Sequence, residues 1–307
     1  MKNISIIEFP SNLGLKEPSP GHEPGVKKLP GWLKNHGFHE KINPANVYRL
    51  DPPAYTMNLD KETGVRNADA IVQYAKEQAA ILEKILLKKE FPLVLGGDCS
   101  ILIGNALALK KKGNYGLFFL DGHTDFMWPE LSQTGGAAGM DLALATGRGP
   151  KKLTNINGLI PYINQENVWC VGNREYTDWY VKAIMDSGIH YADLALLRQK
   201  GIEECVNGFL TMVHSNNLEG FWIHIDVDVL NDDIMPAVDS RGPDGLWYEE
   251  FILILELLLK DEKATGIEIT ILDPELDPSG QYTKEFITFF CGSFNRARKN
   301  FYQPFPK

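Results

Sequence analysis

The chain has 307 residues, 44% of them hydrophobic and 23% charged, which is enough apolar material for a large core and excludes a disordered chain. With 31 basic and 40 acidic residues the formal charge is −9, which argues against a phosphate-backbone binder, since such domains usually carry a basic face. "MKNISIIEF" at the start lacks the apolar core of a signal peptide, and no apolar run has the length of a membrane span. A cytoplasmic protein without nucleic-acid or membrane partners is therefore expected.

In chain order, "ISIIEF" (4–9), "PLVLGG" (92–97), "GLFFLD" (116–121), "NVWCVG" (167–172), "FWIHIDVDVL" (221–230) and "GIEITIL" (266–272) read as strands. All are nearly continuous in apolar residues, as in a parallel sheet covered on both faces. "ADAIVQYAKEQAAILEKILLKK" (68–89) and "YEEFILILELLLKDE" (248–262) carry apolar residues at helical spacing. The alternation predicts an α/β fold with a mostly parallel, doubly wound sheet in a single domain over 1–307. Segments 10–31, 128–150 and 232–247, rich in Gly and Pro, read as long loops within that fold. Cys99, Cys170, Cys205 and Cys291 are widely scattered and read as reduced thiols.

Ligands of such sheets gather beyond the carboxyl ends of the strands. Here those ends read "GGDCS" (96–100), "DGHTD" (121–125), "GNRE" (172–175) and "DVDVLND" (226–232). Alternate residues of an extended segment share a face, so Asp121, His123 and Asp125 can converge, as can Asp226 and Asp228. Four carboxylates and an imidazole would repel one another without compensation, and no Lys or Arg is interleaved among them. Divalent cations are the simplest neutralising partners, and mixed Asp/His ligation suits Mn²⁺, Fe²⁺, Co²⁺, Ni²⁺ or Zn²⁺ better than Ca²⁺.

"GGDCS", "DGHTDF", "IHIDVDVLND" and "MPAVDSRGPDGL" occur in the order found in the arginase/agmatinase/formimidoylglutamase family, and the likeness runs from "EPGVKKLP" (23–30) to "ILDPELD" (271–277). The resemblance implies a three-layer α/β sandwich, a trimeric or hexameric assembly, and two divalent ions, Mn²⁺ in the family. It implies that Asp121 and Asp226 bridge the ions, that Asp125 completes the first, and that His123 and Asp228 complete the second. A hydroxide between the ions would attack the carbon of a small guanidino or amidino substrate.

Against that pattern, Cys99 stands where the family typically has a His ligand of the first ion. A thiolate there would add negative charge and favour Zn²⁺, Fe²⁺ or Co²⁺ over Mn²⁺. Ala138 stands where the family carries a proton-shuttling His, and Ile271 falls at the register of a guanidinium-holding Glu. Glu268, three positions earlier, could take that substrate-binding role through a bulge. Asn173 and Glu175 match a substrate-side segment, while Asp125 and His224 are the candidate catalytic side chains, His224 as a hydrogen-bond partner of a metal carboxylate. Asp239, Ser240 and Arg241 are candidates for the rim, with Met127 and Trp128 for an apolar wall. The expected activity is hydrolysis of a linear C–N bond in a substrate other than plain arginine. The alternatives are a one-ion deacylase using Asp121, His123 and Asp228, and a non-catalytic member of the fold.

Overall fold

A computed structural model describes residues 2–299. Eight strands form one sheet: β1 (Ile4–Glu8), β2 (Asn46–Arg49), β3 (Phe91–Leu95), β4 (Tyr115–Leu120), β5 (Val168–Val171), β6 (His190–Ala192), β7 (Gly220–Asp226) and β8 (Ala264–Thr270). Their spatial order is β2-β1-β3-β8-β7-β4-β5-β6, with every pairing parallel. The six apolar runs form the six inner strands. The two edge strands, β2 and β6, lack any such run because an edge buries less of each face. In β2, "NVYR", half-buried and exposed residues simply alternate.

Side chains alternate between two cores, one on each face of the sheet. Leu93, Leu95, Phe118, Leu120, Ile223, Ile225, Ile267 and Ile269 face one core. Helices Ile202–Ser215, Tyr248–Leu259 and Gln281–Lys299 cover it. Val94, Leu117, Phe119 and Trp222 face the other, under helices Ala68–Leu87 and Ile101–Lys110. From Ile101 to Leu109 that second helix is buried throughout, so "ILIGNALAL" has no polar stripe to announce it as helical. Within the expected loop 128–150, Asp141–Ala145 is a short buried helix. No helix among the described residues is long and apolar enough to cross a membrane.

What matters for chemistry is the middle of the sheet. β7 and β8, last in the chain, insert between β3 and β4. Four strand exits thus become neighbours: Gly96–Ser100, Asp121–Asp125, Asp226–Asp228 and Thr270–Ile271. The β1 exit closes over them. A side chain at Gly97 would put its Cβ 1.8 Å from the Ser11 carbonyl oxygen, so only glycine lets these two loops meet.

Candidate metal centre

β4 ends at Leu120 and β7 at Asp226, so Asp226 is the last residue of its strand and Asp121, His123, Asp125 and Asp228 sit in turns just beyond the sheet. The first carboxylate of each exit organises its own turn. Asp121 Oδ1 accepts from the His123 amide at 2.6 Å, and Asp226 Oδ1 accepts from the Asp228 amide at 2.8 Å. Asp228 Oδ1 accepts from the Gly122 amide at 3.0 Å, tying the β4 and β7 turns together. His123 Nδ1 lies 3.0 Å from Asp228 Oδ2 and 3.7 Å from Asp121 Oδ1. One ligand atom from each of Asp121, His123 and Asp228 falls within 4.8 Å of the other two.

The electrostatics are those of a crowded anion. Burial, then Asp125 and Asp228, push the Asp121 carboxyl well above the carboxylate range. Burial and the neighbouring Asp228 do the same to Asp226. Burial raises Asp125 to about 7 and, with Asp228 adding to it, Asp239 to about 6. Asp228 goes the other way: burial opposes its charge, but His123 outweighs that and holds it below its ordinary value, with Arg174 assisting. For His123 burial likewise opposes the charge, yet Asp228 lifts it to about 10. Arg174 is the cation that local sequence does not reveal. It comes from the β5 exit, and its guanidinium packs over Gly122, where a Cβ would meet Nη1 at 2.2 Å.

The donor set fits a divalent cation. Asp121 Oδ2 is buried, and no described residue donates to it. Leaving such an atom unpaired costs about 1–3 kcal/mol, which a cation would offset. Asp125, Asp226, Asp228, His123 and Cys99 all border one cavity of about 220 Å³. Cys99 is fully buried, with Sγ 3.0 Å from both Asp226 Oδ2 and Thr270 Oγ1. Burial and then Asp226 push its thiol well up, so without a cation it is neutral. All four cysteines are free and buried.

The rest of the expected site is distributed differently. Ile271 lines the cavity with Ala138, so two apolar side chains stand at the substrate end. Ile271 has φ +73° and Asp125 φ +41°, left-handed values that are costly for a β-branched residue and uncommon for an aspartate. The Ile271 backbone is held there by its amide, which donates to the Gly97 carbonyl at 2.8 Å. Glu268 is not at the substrate end: it lies opposite His224 in the β7–β8 register, fully buried. No bulge intervenes there to turn it outward. Its Oε1 is 2.6 Å from His224 Nδ1, and Asn105 donates to its Oε2. His224 therefore pairs with Glu268 rather than with a metal carboxylate, its ring stacked on Phe119 at 4.4 Å, beneath the cavity rather than in its wall.

Asn173 and Glu175 lie outside the cavity lining. Asn173 is buried as a bracket, donating to Tyr191 Oη at 2.6 Å and to the Glu175 carbonyl at 2.8 Å. Glu175 is exposed and accepts from the Thr177 amide at 2.9 Å. Neither lines the cavity. Asp239 and Ser240 do, with Ser240 Oγ 3.4 Å from His123 Nε2, while Arg241 turns outward to pair with Asp232. Trp128 stacks under Arg148 at 4.4 Å and walls a separate cavity with Glu62 and Thr63.

The His224–Glu268 pair is fully buried on both sides. Replacing Glu268 by leucine strands His224 and Asn105 without partners. Urea denaturation should register a loss of about 3–5 kcal/mol, the usual cost of breaking a buried pair. A change under about 1 kcal/mol would mean that the pair adds nothing over an apolar core.

The model of the Arginase family matches residues 2–294. An arginase of Staphylococcus aureus (strain MRSA252) is 29% identical over 301 residues, covering 95% of this chain and 97% of that protein. Among solved structures, an arginase from Bacillus caldovelox superposes with a TM-score of 0.85 at 27% identity, covering 96% of this chain and 98% of its own. A formimidoylglutamase from Bacillus subtilis shares the fold at a TM-score of 0.71 and 20% identity, covering 99% and 89%. With the acidic strand exits and the central cavity in that frame, the chain belongs to the arginase family.

Proposed function

We propose that this protein is a metal-dependent hydrolase of a linear C–N bond in a small guanidino or amidino compound, working with two divalent ions. The observation that carries the reading is the convergence of Asp121, His123 and Asp228, with His123, Asp125, Asp226 and Asp228 lining one cavity. Asp121 and Asp226 would be shared between the ions, Asp125 would hold the first, and His123 and Asp228 the second. When bound, the ions would supply Lewis acidity and lower the pKa of water near neutral pH. The chain's own part is to hold those ligands rigid through the turn hydrogen bonds, to orient His123 through Asp228, and to exclude bulk water from a small pocket.

The substrate end argues against plain arginine. A desolvated guanidinium needs an anionic partner, and Ile271 and Ala138 offer none. Asp239 is the remaining carboxylate on the wall. An amidine or formimino cation bound here would have to find its anionic partner in Asp239. The test is a screen for urea or ammonia release over guanidino, formimino and amide compounds, with protein loaded in turn with Mn²⁺, Zn²⁺, Co²⁺, Fe²⁺ and Ni²⁺. Turnover of an amidine or guanidine supports the reading, and inertness of every loaded form toward all of them rejects it.

Ile271→Glu provides a directional check. A carboxylate there should raise turnover of cationic guanidino compounds about tenfold or more, the worth of one charge-assisted hydrogen bond. Unchanged selectivity would mean that position 271 does not face the substrate. A one-ion deacylase is the second reading, favoured by the same compact Asp121–His123–Asp228 trio. An ion count of one per chain with amide-only turnover would select it.

A further inference from the structure

A second cluster, which the proposed hydrolysis does not use, runs from Cys99 on the cavity lining to two residues outside that lining. One ligand-type atom from each of Cys99, Asp141 and His224 lies within 4.8 Å of the other two, and all three residues are buried. They come from separate parts of the chain: the β3 exit, the start of helix Asp141–Ala145, and the interior of β7. Two of the three hold an atom that nothing satisfies. His224 Nε2 and Asp141 Oδ2 are buried and have no hydrogen-bond partner among the described residues. Unpaired buried polar atoms are rare in native proteins, and two beside one thiol call for a ligand.

The surroundings say what kind. His224 Nδ1 sits 2.6 Å from Glu268 Oε1. A carboxylate in that position accepts a hydrogen bond from Nδ1–H, which leaves the Nε2 lone pair free, the arrangement that backs metal-ligating histidines. Asn105 donates to the other Glu268 oxygen, fixing the carboxylate in turn. Asp141 Oδ1 accepts from the Leu142 amide at 2.7 Å, which orients the carboxylate and leaves Oδ2 as the available atom.

We propose that Cys99 Sγ, Asp141 Oδ2 and His224 Nε2 form a divalent-cation seat one layer below the Asp121–His123–Asp228 group. A thiolate, a carboxylate and an imidazole together suit Zn²⁺, Co²⁺ or Fe²⁺ better than Mn²⁺. On binding, the Cys99 thiol and the Asp141 carboxyl, whose pKa burial raises, each release a proton to solvent, and the thiolate and carboxylate then balance the two charges of the ion. Cysteine is a shorter reach than histidine, and a ligand set that includes residues from β7 and the 141–145 helix draws the ion deeper to meet it. The seat stands on these contacts alone and does not require that the protein hydrolyse an amidine.

The experiment is titration of the chelator-stripped full-length protein with Co²⁺ alone, followed by absorption. A sulfur-to-cobalt charge-transfer band is expected. It should vanish in Cys99→Ser and survive in Asp228→Asn, which touches only the upper group. In Asp141→Asn and His224→Gln the Co²⁺ concentration that half-develops the band should rise about tenfold or more. Asp141→Asn keeps the side-chain shape and the oxygen that caps Leu142, so it reports even if His224→Gln fails to fold. Cobalt bound without the band, a band unchanged in Asp141→Asn, or no cobalt bound at all would each overturn the seat. Amidine turnover by protein lacking the band would overturn it while leaving the hydrolase reading in place; the band without turnover would do the reverse.

Discussion

Asp121→Asn should lose amidine hydrolysis by about a thousandfold or more, because the several kcal/mol that a metal centre contributes to the transition state depend on its ligands. The variant should also lose the stabilisation that divalent ions give the wild type, about 4 kcal/mol at a thousandfold excess over Kd. Its metal-free form should nevertheless be at least as stable as the metal-free wild type. The reason is local: Asp121 is buried among Asp125 and Asp228, and its carboxyl is already pushed far up. Asparagine keeps the oxygen that accepts from the His123 amide and matches the neutral form that the raised carboxyl favours without cations. Activity and apo stability therefore move in opposite directions, which a mere folding defect cannot imitate. Metal content, calorimetry and turnover on one preparation check it. Full metal loading with full turnover would refute the assignment of Asp121.

The second large effect is a loss of stability with rising pH in the metal-free protein. Asp239 and Asp125 are raised by burial to about 6 and about 7. A carboxyl whose folded pKa lies above its unfolded value of about 4 prefers the folded state when protonated. Its contribution is complete below about pH 4 and is lost as pH climbs through the folded pKa. His123, raised to about 10 chiefly by Asp228 against the pull of burial, has the same sign, so its share is complete below about pH 6.5 and declines from there to about pH 10. Between about pH 4 and pH 8 the Asp125 shift alone is worth on the order of 3 kcal/mol. Together with Asp239 this lowers the melting temperature by roughly 10 °C. Saturating Zn²⁺ or Mn²⁺ should abolish or reverse the decline, because the cations bind the deprotonated ligands. Melting curves across that window, with chelator and with metal, decide the matter. A flat metal-free profile would mean that these carboxylates are not packed against one another in solution.

Ile271 and Glu268 show how far strand parity carries. Three positions apart on one segment, they must face opposite ways, and Ile271 borders the cavity while Glu268 enters the core. What made Glu268 attractive was its chemistry: a carboxylate near a site that should want one. The structure supplies another use for it, the pairing with His224 across the β7–β8 register. Asp141 is the opposite case, a residue with no motif of its own. Only the packing of its short helix beneath the site sets it beside Cys99 and His224.

Local order in the chain was sufficient to determine the class of fold, the six inner strands and the acidic exits that border the cavity. Apolar runs and two-residue alternation are nearest-neighbour properties, and a strand buried on both faces writes them directly into its residues. Tertiary structure alone decided that β7 and β8 insert between β3 and β4, that Arg174 reaches Asp228 from the β5 exit, and that Asp141 and Glu268 lie in the core. It also decided the edge strands β2 and β6, whose half-exposed residues carry little pattern. These are choices about which distant surfaces bury one another. They depend on the whole set of faces being covered at once, so no short window of sequence contains them.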